Sequence, residues 1–574
     1  MISPTYDLKI TGGLLVDGSG SPGRVGDLGI RDGRLVAVGD APGSAAQIIA
    51  AEGRVVAPGF IDIHTHYDAQ VIWDRMLTVS PWHGVTSVVM GNCGFSIAPT
   101  RAEHRDIVVR TLENVEGMTV AALEAGLGLE WPFETFPQYL DALATRGTAI
   151  NVAALIGHTA LRTYVMGEDA TEREASEDEI ATMRRLVQEA MSAGALGFAT
   201  SKAVTHVGYQ GKPVPSRAAS FAETLAVARG INDAGRGGVI QATIGPGLAF
   251  DEFAELNRAT GCTVSWTALL AGTALVDEDA AAQLARSEAM QRAGLAVIPQ
   301  VTARPLNFEY QLAAPFVFEA MRMFRPVSAA DHEGKKAIYR DPAFRAELWE
   351  RLEHRVPALY RDGFRGTVIT EVPGRPELSE RTLLDYAAGS GRNPVEALFD
   401  LGLETDLKAR FRMPVANHDE AQVEPLLRSP ATVLGLSDAG AHASQLCDAC
   451  LTTYLFRRWV REKGAIALED AVRMVTSRPA DVFGIRDRGR LLPGLAADVV
   501  VFDPDTIGDS PLRRVSDLPG GADRLIADAV GIDAVIVNGR LLRRDGEDTV
   551  DPAGPLPGVV LRNGRDAAHR AATR

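Results

Sequence analysis

Eight apolar runs recur between residues 86 and 440: TSVVMGNCG, AINVAALIGHTAL, GALGFATSK, GGVIQATIG, TVSWTALLAG, LAVIPQVTAR, GTVITEV and TVLGLSDAG. Each carries four to eight apolar residues and ends in small or polar ones. Between them lie segments such as EDEIATMRRLVQEAMSA, ASFAETLAVARGIND and DEDAAAQLARSEAMQRA, whose apolar residues repeat at helical spacing. Strand and helix in repeated alternation predict an α/β fold with a parallel sheet, and eight or nine such units predict a closed (β/α)8 TIM barrel. In that fold the chemistry gathers where the strands end.

The first barrel strand leads out of VVAPGFIDIHTHYDAQ into His64-Thr65-His66. Imidazoles at i and i+2 on a strand share a face and can hold one cation together. A strand-end pair can instead cap a loop. The sequence of turn, apolar strand and polar exit from Pro58 to Asp62 favours the metal reading.

The other strand exits supply further candidates. Cys93 in Gly91-Asn92-Cys93-Gly94 is either a small residue in a tight turn or a thiolate ligand. His158 is a catalytic candidate that could otherwise bond a loop. Lys202 is a second catalytic candidate, a solvated lysine or one that is carboxylated to bridge two metals. His206 and His442 lie on loops and are candidate metal ligands or surface residues. Asp438, at the end of the last strand, faces His64 and His66 across the closure and can serve as ligand or base. Glu371, after GTVIT, is an additional carboxylate candidate. Tyr67, Gln241, Trp266 and Arg304 are expected around the substrate pocket. Five of the 11 histidines fall at or just past a strand exit, more than random placement would put there.

Residues 7 to 55 alternate short apolar runs with turns, and Asp32-Gly33 and Glu52-Gly53 sit where hairpin turns belong. GRLLPGLAADVVVFDP and AVIVNGRLLRRDG repeat the style near the other end. The expected division is a small β-sandwich from residues 1–57 and 488–550, a metal-dependent barrel at 58–487, and a tail at 551–574. The segment from 305 to 365 is rich in aromatic residues; Phe308, Tyr310, Phe316, Phe318 and Phe324 suit either a hydrophobic pocket or a core.

A net charge of -15 argues against nucleic acid or an anionic membrane as the main partner. No basic leader precedes an apolar stretch, and no run reaches the roughly 18 apolar residues of a spanning helix, so a cytoplasmic location is expected. The four cysteines are too few and too scattered for a disulfide framework. Cys447 and Cys450 lack the second ligand pair of a structural zinc site, which makes their spacing read as accidental.

PGFIDIHTHYDAQ, GNCGFSIAP, GHTALR, LGLSDAGAH and SRPADVFGIRDRGRLLPGLAADVVVFDP together resemble the amidohydrolase superfamily, specifically its D-aminoacylase (N-acyl-D-amino-acid deacylase) branch. The resemblance implies a metal-bearing barrel with a β-sandwich built from both termini. It also implies ligands at His64, His66, Cys93 and Asp438, with a histidine at the end of strand five and another at strand six. This chain has QATIG and SWTAL at those two places. HTHYDAQ, Thr200-Ser201-Lys202 with His206 and Pro213-Val214-Pro215-Ser216, and SDAGAH followed by Cys447-Asp448-Ala449 are similar to a second branch of the superfamily. That branch includes nonheme diiron oxygenases acting on CoA-linked substrates.

The leading expectation is therefore a nonheme iron monooxygenase holding two Fe ions, using dioxygen and an electron donor to hydroxylate an apolar acyl (CoA-linked) or terpenoid-like small molecule. Trp266 and Leu269 would make its pocket apolar. The alternative is a zinc-dependent N-acyl-D-amino-acid deacylase or related amide hydrolase with Asp438 as general base. A third reading is a non-catalytic scaffold, and a homo-oligomer is expected in each case.

Overall fold

The computed structural model describes residues 5–208, 212–272, 278–319, 321–356 and 358–563. Its centre is one sheet of eight parallel strands: β1 (Phe60–Asp62), β2 (Val85–Met90), β3 (Asn151–Gly157), β4 (Gly197–Ser201), β5 (Val239–Thr243), β6 (Thr263–Thr267), β7 (Val297–Val301) and β8 (Val433–Leu434). They lie side by side in chain order. Just beyond the two outer strands Thr65 pairs with Ala439, His66 N–H donates to Ala439 O at 2.7 Å, and Asp438 N–H donates to His64 O at 3.1 Å. These bonds bring the first and last strands together, in keeping with the expected TIM-type barrel. Most strands are buried throughout because helices cover their outer faces. Helix Glu177–Ala193 shows how: Ser176 and Glu179 form a capping box, Met183, Leu186, Val187, Ala190 and Met191 form its buried face, and Gly194 at φ 112° ends it.

GTVITEV belongs elsewhere. Val368–Glu371 pairs antiparallel with Arg410–Ala416 in a separate four-stranded sheet that also holds Leu306–Gln311 and Arg381–Thr382. This sheet and its helices form an insert between β7 and β8 with a core of its own, including Tyr310, Phe318, Phe324, Tyr339 and Phe411. The aromatic run thus packs chiefly as core, and Phe308 reaches out to touch the loop after β8, where its ring meets that of His442 at 5.4 Å.

Strands from both ends of the chain share a nine-stranded sheet, joined where Val55–Pro58 runs antiparallel to Val499–Phe502. Leu8, Ile10, Leu28, Ile30, Val499 and Val501 form its core. Asp32 and Gly33, at φ 51° and 73°, turn the hairpin expected there. Glu52-Gly53 does not: Ala45–Ala50 and Val55–Pro58 each run parallel to Tyr6–Leu15, so the turn shifts the chain along one strand instead of reversing it onto itself. Val560 bridges to Val152 of β3, so the chain remains paired to the barrel there. Residues 564–574 of the expected tail lie outside the described residues. Among the described residues no helix is long and apolar enough to cross a membrane.

Candidate metal centre

His64 and His66 leave β1 on its inner face, while Thr65 between them turns outward and donates its hydroxyl to Val89 O at 2.8 Å. Both imidazoles are buried. Cys93 sits in the turn after β2 at φ 57°. Gly91 makes that turn possible, because a Cβ there would stand 2.2 Å from Leu155 O. Asp438 follows β8 at φ 46°, tied by its backbone to His64. Four side chains from three strand exits now converge. Nε2 of His64 lies 3.5 Å from Cys93 Sγ and 3.2 Å from Asp438 Oδ1, and Nε2 of His66 lies 3.7 Å from the same carboxylate oxygen. Donor atoms of His64, His66 and Cys93 all fall within 4.8 Å of one another.

The charges reinforce one another. Burial alone would raise the Cys93 thiol, but His64 and His66 bring it down to about 7. Burial likewise opposes the Asp438 charge, yet His66, His64 and His442 hold its carboxyl well below the usual range. Two imidazoles, a readily ionised thiol and an ionised carboxylate form a donor set that fits a borderline cation such as zinc.

The remaining candidates divide. His206 stands beside the centre: its ring is 5.0 Å from Phe95, its Nδ1 is 2.7 Å from Ser201 Oγ, and burial followed by the His66 and His442 charges pushes it down to about 3. His442 is also close enough to feel Asp438, Glu116 and His66, although burial still lowers its pKa. Tyr67 and Asp438 line one small cavity, with the Tyr67 hydroxyl 2.7 Å from Ser80 Oγ.

Others are committed elsewhere. His158 spends Nδ1 on Thr200 Oγ1 at 2.9 Å and Nε2 on Glu223 Oε1 at 3.1 Å. Lys202 donates to the carbonyls of Arg217 and Ala219, so its ammonium is turned from the cluster. Arg304 is buried between Asp448 and Asp509, at 2.9 Å from each. Glu371 is exposed in the insert sheet, 3.5 Å from Arg410. Trp266 points outward from β6, stacking on Phe253 at 6.0 Å and meeting Phe250 at 5.5 Å, because side chains alternate along a strand and its neighbours Ser265 and Thr267 take the inner face.

Two further residues belong to the site. Gln300 of β7 places Oε1 2.8 Å from His64 Nδ1 and donates from Nε2 to Ser265 Oγ at 3.0 Å. It is the one polar residue of the strand VIPQV, which is the signal the sequence carries for it. Glu116, the last residue of helix α1 (Arg105–Glu116), is buried with Oε1 3.2 Å from His66 Nδ1. Nothing in the helical pattern distinguished it from a solvated glutamate. Gln241 occupies the strand-five position and accepts the Cys93 N–H at 2.5 Å.

A barrel that closes on such a donor set defines a metal-dependent enzyme. The chain belongs to the amidohydrolase family, whose profile matches residues 47–543, and within it resembles the D-aminoacylases. It is similar to an N-acyl-D-glutamate deacylase of Alcaligenes xylosoxydans xylosoxydans, 31% identical over 579 residues that cover 98% of this chain and 97% of the relative. A solved N-acyl-D-glutamate deacylase from Bordetella bronchiseptica, complexed with zinc and a phosphonate mimic of the tetrahedral intermediate, is 30% identical with a TM-score of 0.64, covering 97% and 99% of the two chains. A D-aminoacylase structure described by its binuclear metal centre, with one-metal activation and second-metal attenuation, is 28% identical with a TM-score of 0.64, covering 96% and 100%.

These likenesses overturn the expected iron monooxygenase. Relatives matched over nearly the whole chain are deacylases. The two Fe ions, dioxygen, the electron donor and a CoA-linked or terpenoid substrate go with that reading. Its main prompt is the absence of two histidines; at those strands Gln241 accepts the Cys93 N–H and Ser265 accepts from Gln300.

Proposed function

We propose that the protein is a zinc-dependent hydrolase of the amide bond in N-acyl-D-amino acids. The observation that carries this is the placing of Asp438 Oδ1 3.2 Å from His64 Nε2, beside Cys93 and His66, at the closure of a deacylase-type barrel. His64, His66 and Cys93 would hold one zinc, with Asp438 beside it; the one-metal activation attributed to the D-aminoacylase relative supports a single sufficient ion. The bound cation would supply Lewis-acid polarisation of the scissile carbonyl and acidify water. Asp438, ionised at neutral pH, would accept the proton of the attacking water and deliver it to the departing amine nitrogen. His206 and His442, whose rings burial disfavours in the charged form, would donate hydrogen bonds to the acyl oxygen.

The test is a panel of N-acetyl-D- and N-acetyl-L-amino acids incubated with chelator-treated protein, with amine release followed before and after zinc is restored. Release confined to the D series and dependent on zinc supports the reading. Equal turnover of both series, or turnover that survives full zinc removal, overturns it.

A further inference from the structure

His64 and His66 turn the same atom, Nε2, toward the shared donor space, yet their other nitrogens are held by different chemistry. Gln300, a neutral amide, faces Nδ1 of His64 at 2.8 Å. Glu116, a carboxylate, faces Nδ1 of His66 at 3.2 Å. We propose that Glu116 is a positioning residue of the metal centre, one whose negative charge fixes the His66 tautomer and strengthens Nε2 as a donor; the proposal rests on the reading that these histidines bind a cation.

Three observations support it. Glu116 is only 2% exposed, and a carboxylate is almost never buried so deeply without a charged partner. Among the described residues its second oxygen, Oε2, has no hydrogen-bond partner, and His66 Nδ1 lacks a well-aligned one, so the pair stands close without the geometry of a completed bond. Charge drawn off at Nε2 would tighten that contact, as in carboxylate–histidine–metal relays. The backbone, finally, fixes where Glu116 stands. Gly117 at φ 64° ends helix α1, and a Cβ there would come within 3.1 Å of His442 Cα. Ala443 N–H donates to Glu116 O at 3.1 Å and Ser444 Oγ to Gly117 O at 3.1 Å. The helix end is thereby docked on the loop that carries Asp438 and His442, which sets Glu116 relative to both sides of the donor cluster.

The experiment uses full-length protein stripped of metal and titrated with zinc against a chromophoric chelator. E116Q keeps the shape and removes the charge, and is expected to weaken zinc binding about 10- to 100-fold while the urea midpoint of the metal-free protein stays at the wild-type value. E116D, which keeps the charge on a shorter arm, should recover part of the affinity. Cobalt-loaded E116Q should retain the wild-type d–d band envelope, since no ligand is lost. Wild-type zinc affinity in E116Q, an affinity loss matched by unfolding of the metal-free variants, or a cobalt spectrum reporting one ligand fewer would each overturn the proposal. Wild-type protein that binds zinc but cleaves no N-acyl amino acid would defeat the deacylase reading and leave this one standing.

Discussion

Gln300 Oε1 lies 2.8 Å from His64 Nδ1, and the same amide donates to Ser265 Oγ at 3.0 Å, so a residue of β7 and one of β6 together orient an imidazole from β1. With Nδ1–H directed at Gln300 Oε1, Nε2 is the nitrogen that His64 turns toward Cys93 and Asp438 and would offer to a cation. Gln300→Leu should weaken zinc binding about 10- to 100-fold, read by chelator competition, because the ring would lose both its tautomer and its orientation. Saturating zinc should restore most of the turnover; a variant with unchanged affinity would show that packing alone aligns His64.

Asp438 Oδ1 lies within 3.7 Å of both histidine Nε2 atoms, and a base at that point acts on the rate more than on substrate binding. Asp438→Asn should lower kcat about 10²- to 10⁴-fold with KM changed little, measured on whichever N-acyl-D-amino acid the wild type cleaves best. A fall in KM-side binding without loss of kcat would remove Asp438 from proton transfer.

Much of this was legible before any coordinates. A histidine pair at a strand exit and an aspartate at the last exit are hard to place anywhere but a barrel mouth, and both stand there. GTVITEV reads as a barrel strand because a short apolar run looks the same in either sheet; what separates them is antiparallel pairing with a strand more than 35 residues away. Trp266 could have been read correctly, since Ser265 and Thr267 on the opposite parity are the inward pair. Glu116 could not, because a glutamate in the last turn before a glycine is the ordinary look of a solvated helix end. The lack of histidines at strands five and six points away from a deacylase, yet relatives matched over nearly the whole chain are deacylases.

His83 offers a pH test remote from the donors. It is fully buried, with Nε2 3.1 Å from Ala527 O and Nδ1 2.7 Å from Thr453 Oγ1, and burial pushes its pKa down to about 4 even though the Ala527 carbonyl, Asp509 and Asp528 favour the charged ring and Arg304 opposes it. A depressed histidine stabilises the fold above its unfolded value near 6.5, and that contribution is lost as pH falls toward the folded value. The loss should reach about 3 kcal/mol by pH 4. His83→Gln should be less stable than wild type at pH 7 but show a smaller drop in urea midpoint between pH 7 and pH 5. Equal drops in the two proteins would assign the acid sensitivity to other groups.

The last prediction separates stability from chemistry by using the opposite end of β3. Asn151 begins that strand, six residues before Gly157 at the mouth, and its amide donates to Asp498 Oδ2 at 2.9 Å. Asp498 is bonded there to the buried guanidinium of Arg488 and accepts the Asn538 N–H at 2.7 Å, while Asn538 Nδ2 donates back to Asn151 Oδ1 at 2.7 Å. The network clamps the terminal sheet to the base of the barrel. Asp498→Ala would leave the buried Arg488 with Asp487, 3.1 Å from its Nε, as its remaining carboxylate, and should destabilise the protein by about 1–3 kcal/mol in denaturant unfolding. Arg488→Met combined with Asp498→Leu removes both charges and should recover part of that loss. Zinc affinity and kcat should remain at wild-type values in both, since the floor of a barrel serves the fold and the strand exits serve the reaction. Loss of zinc affinity in the folded double variant would mean that the terminal sheet helps to set the geometry of the metal centre.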